Sequence, residues 1–363
     1  VPHIAMFDFD GLDDVESSWR EQVLRDKAST SRKHIKRKLA TSTQGHEVRV
    51  CTYNLLAPCY FRDGQGGTEA ETHFWRPRLE AQLAAVLAAA DPDVLCLQEF
   101  WFSDTAKEFL GGLARGLGYE LLLCRRTGWE PKDDGLAVLV RSSRVEVADS
   151  EAQELCKEGS RVLLKLLLRL RGSRKGVAPV PFVLGCTHLT YPHGETTNRL
   201  RMVQGFNACR SCYAFAKRHG LDPLEAALVI VGDMNAKASA LDDLALQAFS
   251  SDGWRSAFAE ARGAEARATH RTHRDEQICA DFVLLRGSVH ANAAAVLPLA
   301  DDADAPIQRA RVGGAQGLAG RPPPPSLAEW SQLSDHRPLV ATLQLGAGAA
   351  GGPAGAAERL RGA

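Results

Sequence analysis

Six consecutive apolar residues, Ala226-Ala227-Leu228-Val229-Ile230-Val231, run directly into Gly232-Asp233-Met234-Asn235. An apolar run this short reads as a strand buried on both faces, which requires covering layers on either side. Gly232 lets the backbone turn, and the two-residue alternation directs Asp233 and Asn235 to one side of the strand end. A carboxylate and an amide presented together there suit hard-cation chemistry or activation of a water. The same pair is equally at home as turn residues or as a helix cap. Its weight comes from repetition along the chain.

Five further strand-like runs end or break in polar groups. Val48–Tyr53 leads into Asn54, Asp93–Leu97 into Gln98-Glu99, and Phe182–Thr187 into His188. Asp281 interrupts the apolar run Ile278–Leu285, and Asp335-His336 precedes Pro338–Leu343. One such residue is ordinarily a strand stop or a satisfied structural group. A convergent site explains all of them at once, because function concentrates where the ends of a rigid scaffold meet.

In chain order the motifs are T-Y-N-L-L (52–56), L-Q-E (97–99), D-G (134–135), T-H-L (187–189), G-D-x-N (232–235), D-F (281–282) and S-D-H (334–336). This series resembles the endonuclease/exonuclease/phosphatase superfamily over about residues 47–345. In motif detail it is nearest to the deadenylase/nocturnin-like branch. The resemblance implies an α/β fold with four layers, two packed mixed β-sheets flanked by helices. It also implies a phosphoesterase dependent on Mg²⁺ or Mn²⁺, with Glu99 as main metal ligand and Asn54 and Asp335 beside it. Asp233 would orient and deprotonate the attacking water, and Asn235 would hold water or phosphate by its amide. His336 would contact the scissile phosphate, held in orientation by Asp281, and His188 would add a second hydrogen bond.

Arg201 and Gln204, spaced as in that branch, and the basic residues Arg271 and Arg274 before Asp281 are candidate substrate contacts. A nucleic acid or nucleotide is therefore the expected substrate, with 3′-5′ exonuclease action on RNA among the readings. Inositol phosphates and sphingomyelin are alternatives, as is a catalytically inactive binding module. The tryptophan-cysteine-aspartate-arginine motif of inositol 5-phosphatases is absent, and His193 departs from the deadenylase pattern. His270-x-x-His273 with Cys279 lacks a fourth ligand for zinc.

Composition adds bounds. At 363 residues and 45% hydrophobic content, the chain is long enough for one large α/β domain. A formal net charge of zero provides no global attraction to nucleic acid or membrane. No apolar run reaches the roughly 18 residues of a membrane span. Nine scattered cysteines, Cys209-x-x-Cys212 among them, read as small buried hydrophobes of a reducing, intracellular compartment. A monomer is expected.

Residues 1–46 read as an acidic then basic flank, with the basic run at 32–38, and 346–363 as a disordered Gly/Ala-rich tail. The spacing predicts helices over Pro77–Ala90, Thr105–Leu117, Asn198–His219 and Ala240–Ser250. It predicts strands over Leu136–Val140, Val162–Leu170 and Val180–Thr187, the last two joined by a hairpin at Arg171–Gly176. Residues 298–333, with four consecutive prolines from Pro322 to Pro325, read as a long surface excursion.

Overall fold

A computed structural model of the chain describes residues 46–62, 66–128, 133–171, 179–238, 243–299 and 327–346, together with 307, 315 and 318. The basic run at 32–38, most of the expected hairpin after Arg171, the four prolines and the C-terminal tail lie outside these residues.

Two six-stranded mixed sheets form the centre. The first contains β1 (Glu47–Asn54), β2 (Val94–Trp101), β3 (Tyr119–Arg125) and β4 (Asp134–Arg141), completed by β13 (Val289–Val296) and β14 (Leu339–Leu345). Its order is β13-β14-β1-β2-β4-β3. The second contains β5 (Val145–Glu154), β6 (Val162–Leu170), β7 (Val180–His188), β8 (Leu228–Asp233), β9 (Arg255–Ser256) and β12 (Asp281–Arg286). Its order is β5-β6-β7-β8-β12-β9. A two-stranded ribbon, β10 (His270–Arg271) with β11 (Gln277–Ile278), stands apart from both.

Three apolar clusters define the layers. Val48, Val50, Val94 and Cys96 of the first sheet meet Leu164, Leu166, Leu184 and Val229 of the second. The outer face of the first sheet packs Cys51, Leu95 and Leu97 against α1 (Trp75–Ala90) and α2 (Asp104–Leu117). The outer face of the second packs Leu163, Val183 and Ile230 against α3 (Glu195–Arg218) and the short helix α4 (Leu244–Ser250). The expected four-layer arrangement is therefore present. Because both faces of β1, β2, β7 and β8 are covered, these strands are nearly continuous apolar runs.

Helix ends follow local chemistry. The helix α1 begins at Trp75, two residues before Pro77, since a first-turn residue needs no N–H for an intrahelical bond. Ser103 caps α2 by accepting from the Ala106 N–H at 3.2 Å. Asp243 caps α4 by accepting from the amides of Ala245 and Leu246, so that helix starts later than expected. Strands β3, β5 and β13 do not stand out in the sequence. The run Val145–Glu154 carries four acidic side chains and only partial burial, and cross-strand pairing with β6 makes it a strand.

The excursion at 298–333 differs from expectation where it is described. Ala315, Trp330 and Leu333 are buried in the cluster under α1 and α2, with Leu327 and Ile307 also buried. Trp330 and Leu327 sit in α6 (Leu327–Trp330), which follows α5 (Ala257–Arg262) in the chain. Widely spaced apolar residues among Pro and Gly show no periodicity, so the sequence hides this anchoring.

Candidate active site

Strand register assembles the centre. In the parallel β7/β8 pair His188 stands beside Asp233, and in the antiparallel β8/β12 pair Asp281 stands on its other side. One row across the second sheet thus reads His188, Asp233, Asp281. On the first sheet the parallel β1/β2 pair sets Asn54 beside Gln98, with Glu99 next in the chain. Asn54 joins the two sheets: its Nδ2 donates to Asp233 Oδ2 at 3.0 Å and to Glu99 Oε1 at 3.3 Å.

Glu99 sits in a bulge. Leu97 and Phe100 face Ala137 and Gly135, so Gln98 and Glu99 together oppose Leu136 alone. The extra residue puts Glu99 at φ 54, a left-handed conformation that costs a non-glycine residue about 1–2 kcal/mol. Its Oε2 accepts from the Ala57 N–H at 2.9 Å. Asn235 also has a left-handed backbone, at φ 48. There its Nδ2 donates to the Leu189 carbonyl at 2.9 Å and lies 3.0 Å from His188 Nε2. The Asn235 N–H donates to Asp233 Oδ1 at 2.7 Å.

His336 completes the centre from the segment before β14. Its Nδ1 is 2.9 Å from Asp281 Oδ2, and its Nε2 faces Asp233 Oδ2 at 3.7 Å. Ser334 orders this segment, accepting from the His336 N–H and donating to the Asn54 carbonyl. The ring of His270 stacks on His336 with centroids 3.8 Å apart, and its Nε2 lies 3.6 Å from Asp335 Oδ2. Burial disfavours the charged form of His336, but the Asp281 and Asp233 carboxylates outweigh it and push the imidazole up to about 10. Burial raises Asp233 above the ordinary carboxylate range, with His336 opposing and Asp281 adding to the effect. Burial, with Arg161 and Arg126 nearby, pushes His188 well down, so it is neutral.

These residues suit a divalent cation. Desolvation, followed by the charges of Asp134 and Asp335, pushes Glu99 up to about 7. A cation bound at Glu99 would relieve that repulsion, and carboxylate oxygens match a hard ion, although neither cluster of ligand atoms among the described residues includes Glu99. Asn54 presents its nitrogen to the carboxylates while its oxygen accepts from the Leu56 N–H at 2.9 Å. In this orientation it holds Glu99 and Asp233 in place rather than offering a ligand oxygen.

Among the described residues, ligand atoms of His270, Asp335 and His336 lie within 4.8 Å of one another, as do those of Asp233, Asp281 and His336. The second group joins His336 to Asp281 by a hydrogen bond and sets Asp233 3.7 Å from the other ring nitrogen, an arrangement better suited to holding a proton. The stacked rings of the first group direct their lone pairs in parallel rather than at one point. His273 lies against Tyr191, apart from His270, and no group of ligand atoms among the described residues joins the two to Cys279.

Ligand binding at Glu99 requires loss of its proton. Divalent-metal affinity is expected to rise about tenfold per pH unit up to roughly pH 7 and then level, with proton release in calorimetry. Without metal the sign is opposite for stability. Between its ordinary value of 4.5 and about 7 the folded form holds a proton that the unfolded chain has lost, so stability falls as pH rises. A pH-independent affinity across this window would remove Glu99 from the ligand set.

The other expected contacts are placed differently. Arg201 is buried beneath the site, donating through Nη1 to the Asn235 carbonyl at 2.6 Å and to Asp243 at 3.1 Å. Gln204 accepts from the Thr190 N–H and donates to the Thr190 hydroxyl. Both brace the loops that carry Asn235 and His188. Arg271 donates to the Ile307 carbonyl and to Asp275, whereas Arg274 is exposed. Asp134 is engaged by Tyr60 and by Arg126, at 2.7 and 3.1 Å. Gly135 is required because a Cβ there would lie 2.3 Å from the Cys124 carbonyl oxygen. Sequence reasoning passed over Tyr60, Arg126 and Arg161, which no motif marks. All nine cysteines are unpaired, and Cys209 and Cys212 are buried in the apolar cluster under the second sheet.

Comparison with known proteins shows the fold and the family. The chain is 28% identical to protein angel of Drosophila melanogaster over 163 residues, 43% of this chain and 46% of that protein. It spans about half the length of the curated relatives it matches. The human Nocturnin catalytic domain with bound sulfate superposes with a TM-score of 0.58 at 20% identity, covering 83% of this chain and 95% of that one. ANGEL2, described as a 2′,3′-cyclic phosphatase and solved with adenosine-2′,3′-vanadate, gives 0.58 at 18% identity, covering 84% and 97%. No helix among the described residues is long and apolar enough to cross a membrane. The family model described as "Endonuclease/Exonuclease/phosphatase family" matches residues 51–336, and the chain belongs to that family.

Proposed function

We propose that the chain is a Mg²⁺- or Mn²⁺-dependent hydrolase of phosphate esters in nucleotides or nucleic acids. The observation that carries this reading is the row His188, Asp233, Asp281, bridged by Asn54 to Glu99 and closed by His336.

Each group has a task. Asp233, fixed by the Asn235 N–H and the Asn54 amide, is a buried carboxylate of raised basicity, suited to taking a proton from water. His336 is an imidazolium locked by Asp281, and its Nε2–H, on the Asp233 side of the ring, is the donor that would meet a phosphoryl oxygen. Asn235 fixes the row from its end, its Nδ2 donating to the Leu189 carbonyl and meeting His188 Nε2, so that Asp233 and His188 stay in place for the phosphoryl group. Glu99 and Asp335, with Asn54 bracing Glu99, would hold the divalent cation, which supplies charge neutralisation and Lewis-acid polarisation of a phosphoryl oxygen.

The nucleotide preference is supported by likeness to proteins whose descriptions name a 2′,3′-cyclic phosphatase and Nocturnin. The deciding assay offers RNA, DNA, NADP, inositol phosphates and sphingomyelin with Mg²⁺ or Mn²⁺, and repeats each after chelation. Turnover of a nucleic acid or nucleotide that stops with chelator is the expected result. Chelator-insensitive hydrolysis overturns the metal dependence, and turnover of inositol phosphates or sphingomyelin alone overturns the substrate class.

A further inference from the structure

One buried cation beside the centre has no use in the chemistry above. Arg161 directly precedes β6, whose register sets Leu163 opposite Thr187, one residue before His188. The residue is only 7% exposed, yet its Nε and Nη1 have no hydrogen-bond partner among the described residues. A buried guanidinium without a partner is costly and is normally paired. The neighbouring carboxylate, Asp134, is already held by Arg126 and the Tyr60 hydroxyl.

Arg161, Arg126, Asp134 and His188 line one narrow cleft, too tight as it stands for a water molecule, so that an anion enters only as the cleft widens. His188 stands between this cleft and the catalytic row. Its Nε2 faces Asp233 and Asn235, while its Nδ1, on the diverging side of the ring, is buried and unpartnered. The Asn235 Nδ2 group donates to the Leu189 carbonyl and meets Nε2, and with the amide as donor in that contact the imidazole proton is assigned to Nδ1. Unfilled donors therefore gather on the side of His188 away from Asp233. They require an acceptor with several oxygens, and planar guanidinium groups match a phosphate best.

We propose that Arg161, assisted by Arg126 and the Nδ1 edge of His188, receives a second, non-reacting phosphate of the substrate. The preferred substrate class is accordingly a nucleotide bearing a phosphate monoester close to the ester that is cleaved. This rests on the phosphoesterase reading for its substrate, although the anion site can be tested without turnover.

The binding arm compares thymidine 5′-monophosphate with thymidine 3′,5′-bisphosphate by calorimetry in the presence of Mg²⁺. The wild type is expected to bind the bisphosphate at least about tenfold more tightly, since charge-assisted bonds contribute roughly that much or more. Arg161→Met removes this preference and Arg161→Lys keeps part of it. Because Met removes an unpaired buried charge, R161M melts at or above the wild type, and the bisphosphate no longer raises its Tm more than the monophosphate does.

Equal affinity of the wild type for both ligands overturns the proposal. So does a preference that survives in R161M, an equal loss for both ligands, or a large fall in the Tm of R161M. The kinetic arm uses the p-nitrophenyl esters of thymidine 5′-phosphate with and without a 3′-phosphate, reading the ratio of their KM values. If the wild type hydrolyses neither, the phosphoesterase reading fails while the binding comparison still decides the anion site.

Discussion

Asp233→Asn is expected to keep divalent-metal binding close to that of the wild type and to lower kcat by roughly 10²–10⁴-fold, the range typical of removing a positioned general base. The variant is nearly isosteric, and its amide can still accept from the Asn235 N–H that now bonds Oδ1. What it loses is basicity, the charge that faces His188 and His336, and the Oδ2 acceptor for Asn54 Nδ2. Glu99→Gln divides the effect the other way. It removes the carboxylate held by the Ala57 N–H and the Asn54 amide, so metal affinity falls first and turnover follows, recoverable in part by excess metal. Titration with Mn²⁺ and initial rates on a nucleotide ester separate the two. Equal losses of metal affinity in both variants would make Asp233 a ligand and leave the water without an identified base.

Gly232→Ala is expected to cost about 3–4 kcal/mol, lowering Tm by roughly 10 °C for a domain of this size. Gly232 has φ +147, a conformation that side chains rarely adopt, and an added Cβ would lie 1.8 Å from the Thr187 carbonyl oxygen. The clash is with backbone, so it cannot be relieved by turning a side chain. Strands β7 and β8 must part where Thr187 pairs with Gly232, one residue before His188 pairs with Asp233. Activity should therefore fall even where the variant remains folded, because a displacement near 1 Å at a catalytic group costs about 10²-fold. A variant with native Tm and native kcat would show that the turn is free to relax and that the register is set elsewhere.

Much of this molecule could be read from residue order. Uninterrupted apolar runs such as Leu228–Val231 announce strands covered on both faces, because a half-exposed strand would alternate. Polar residues at the ends of those runs marked Asn54, Glu99, His188, Asp233, Asp281 and His336, since a buried strand has little other reason to finish in that way so often. The rest depended on pairing. Nothing local says that β7 and β8 run parallel while β8 and β12 run antiparallel, yet that register alone brings His188 and Asp281 to either side of Asp233.

The same limit explains the residues that were placed differently or passed over. Arg201 and Arg271 carry charges that suit substrate, but Asn235 and Asp243 claim the first, and Ile307 and Asp275 the second, through contacts 4 to 42 residues away in the chain. Arg161 shows the reverse. In sequence it is one arginine before a strand, while in the folded chain it is a buried cation whose Nε and Nη1 find no partner among the described residues. Sequence by itself determined which strands are buried and which polar groups end them, because those follow from hydrophobic period and local backbone chemistry. Only the tertiary structure decided which charges are already satisfied, because satisfaction depends on partners brought together by folding rather than by neighbourhood along the chain.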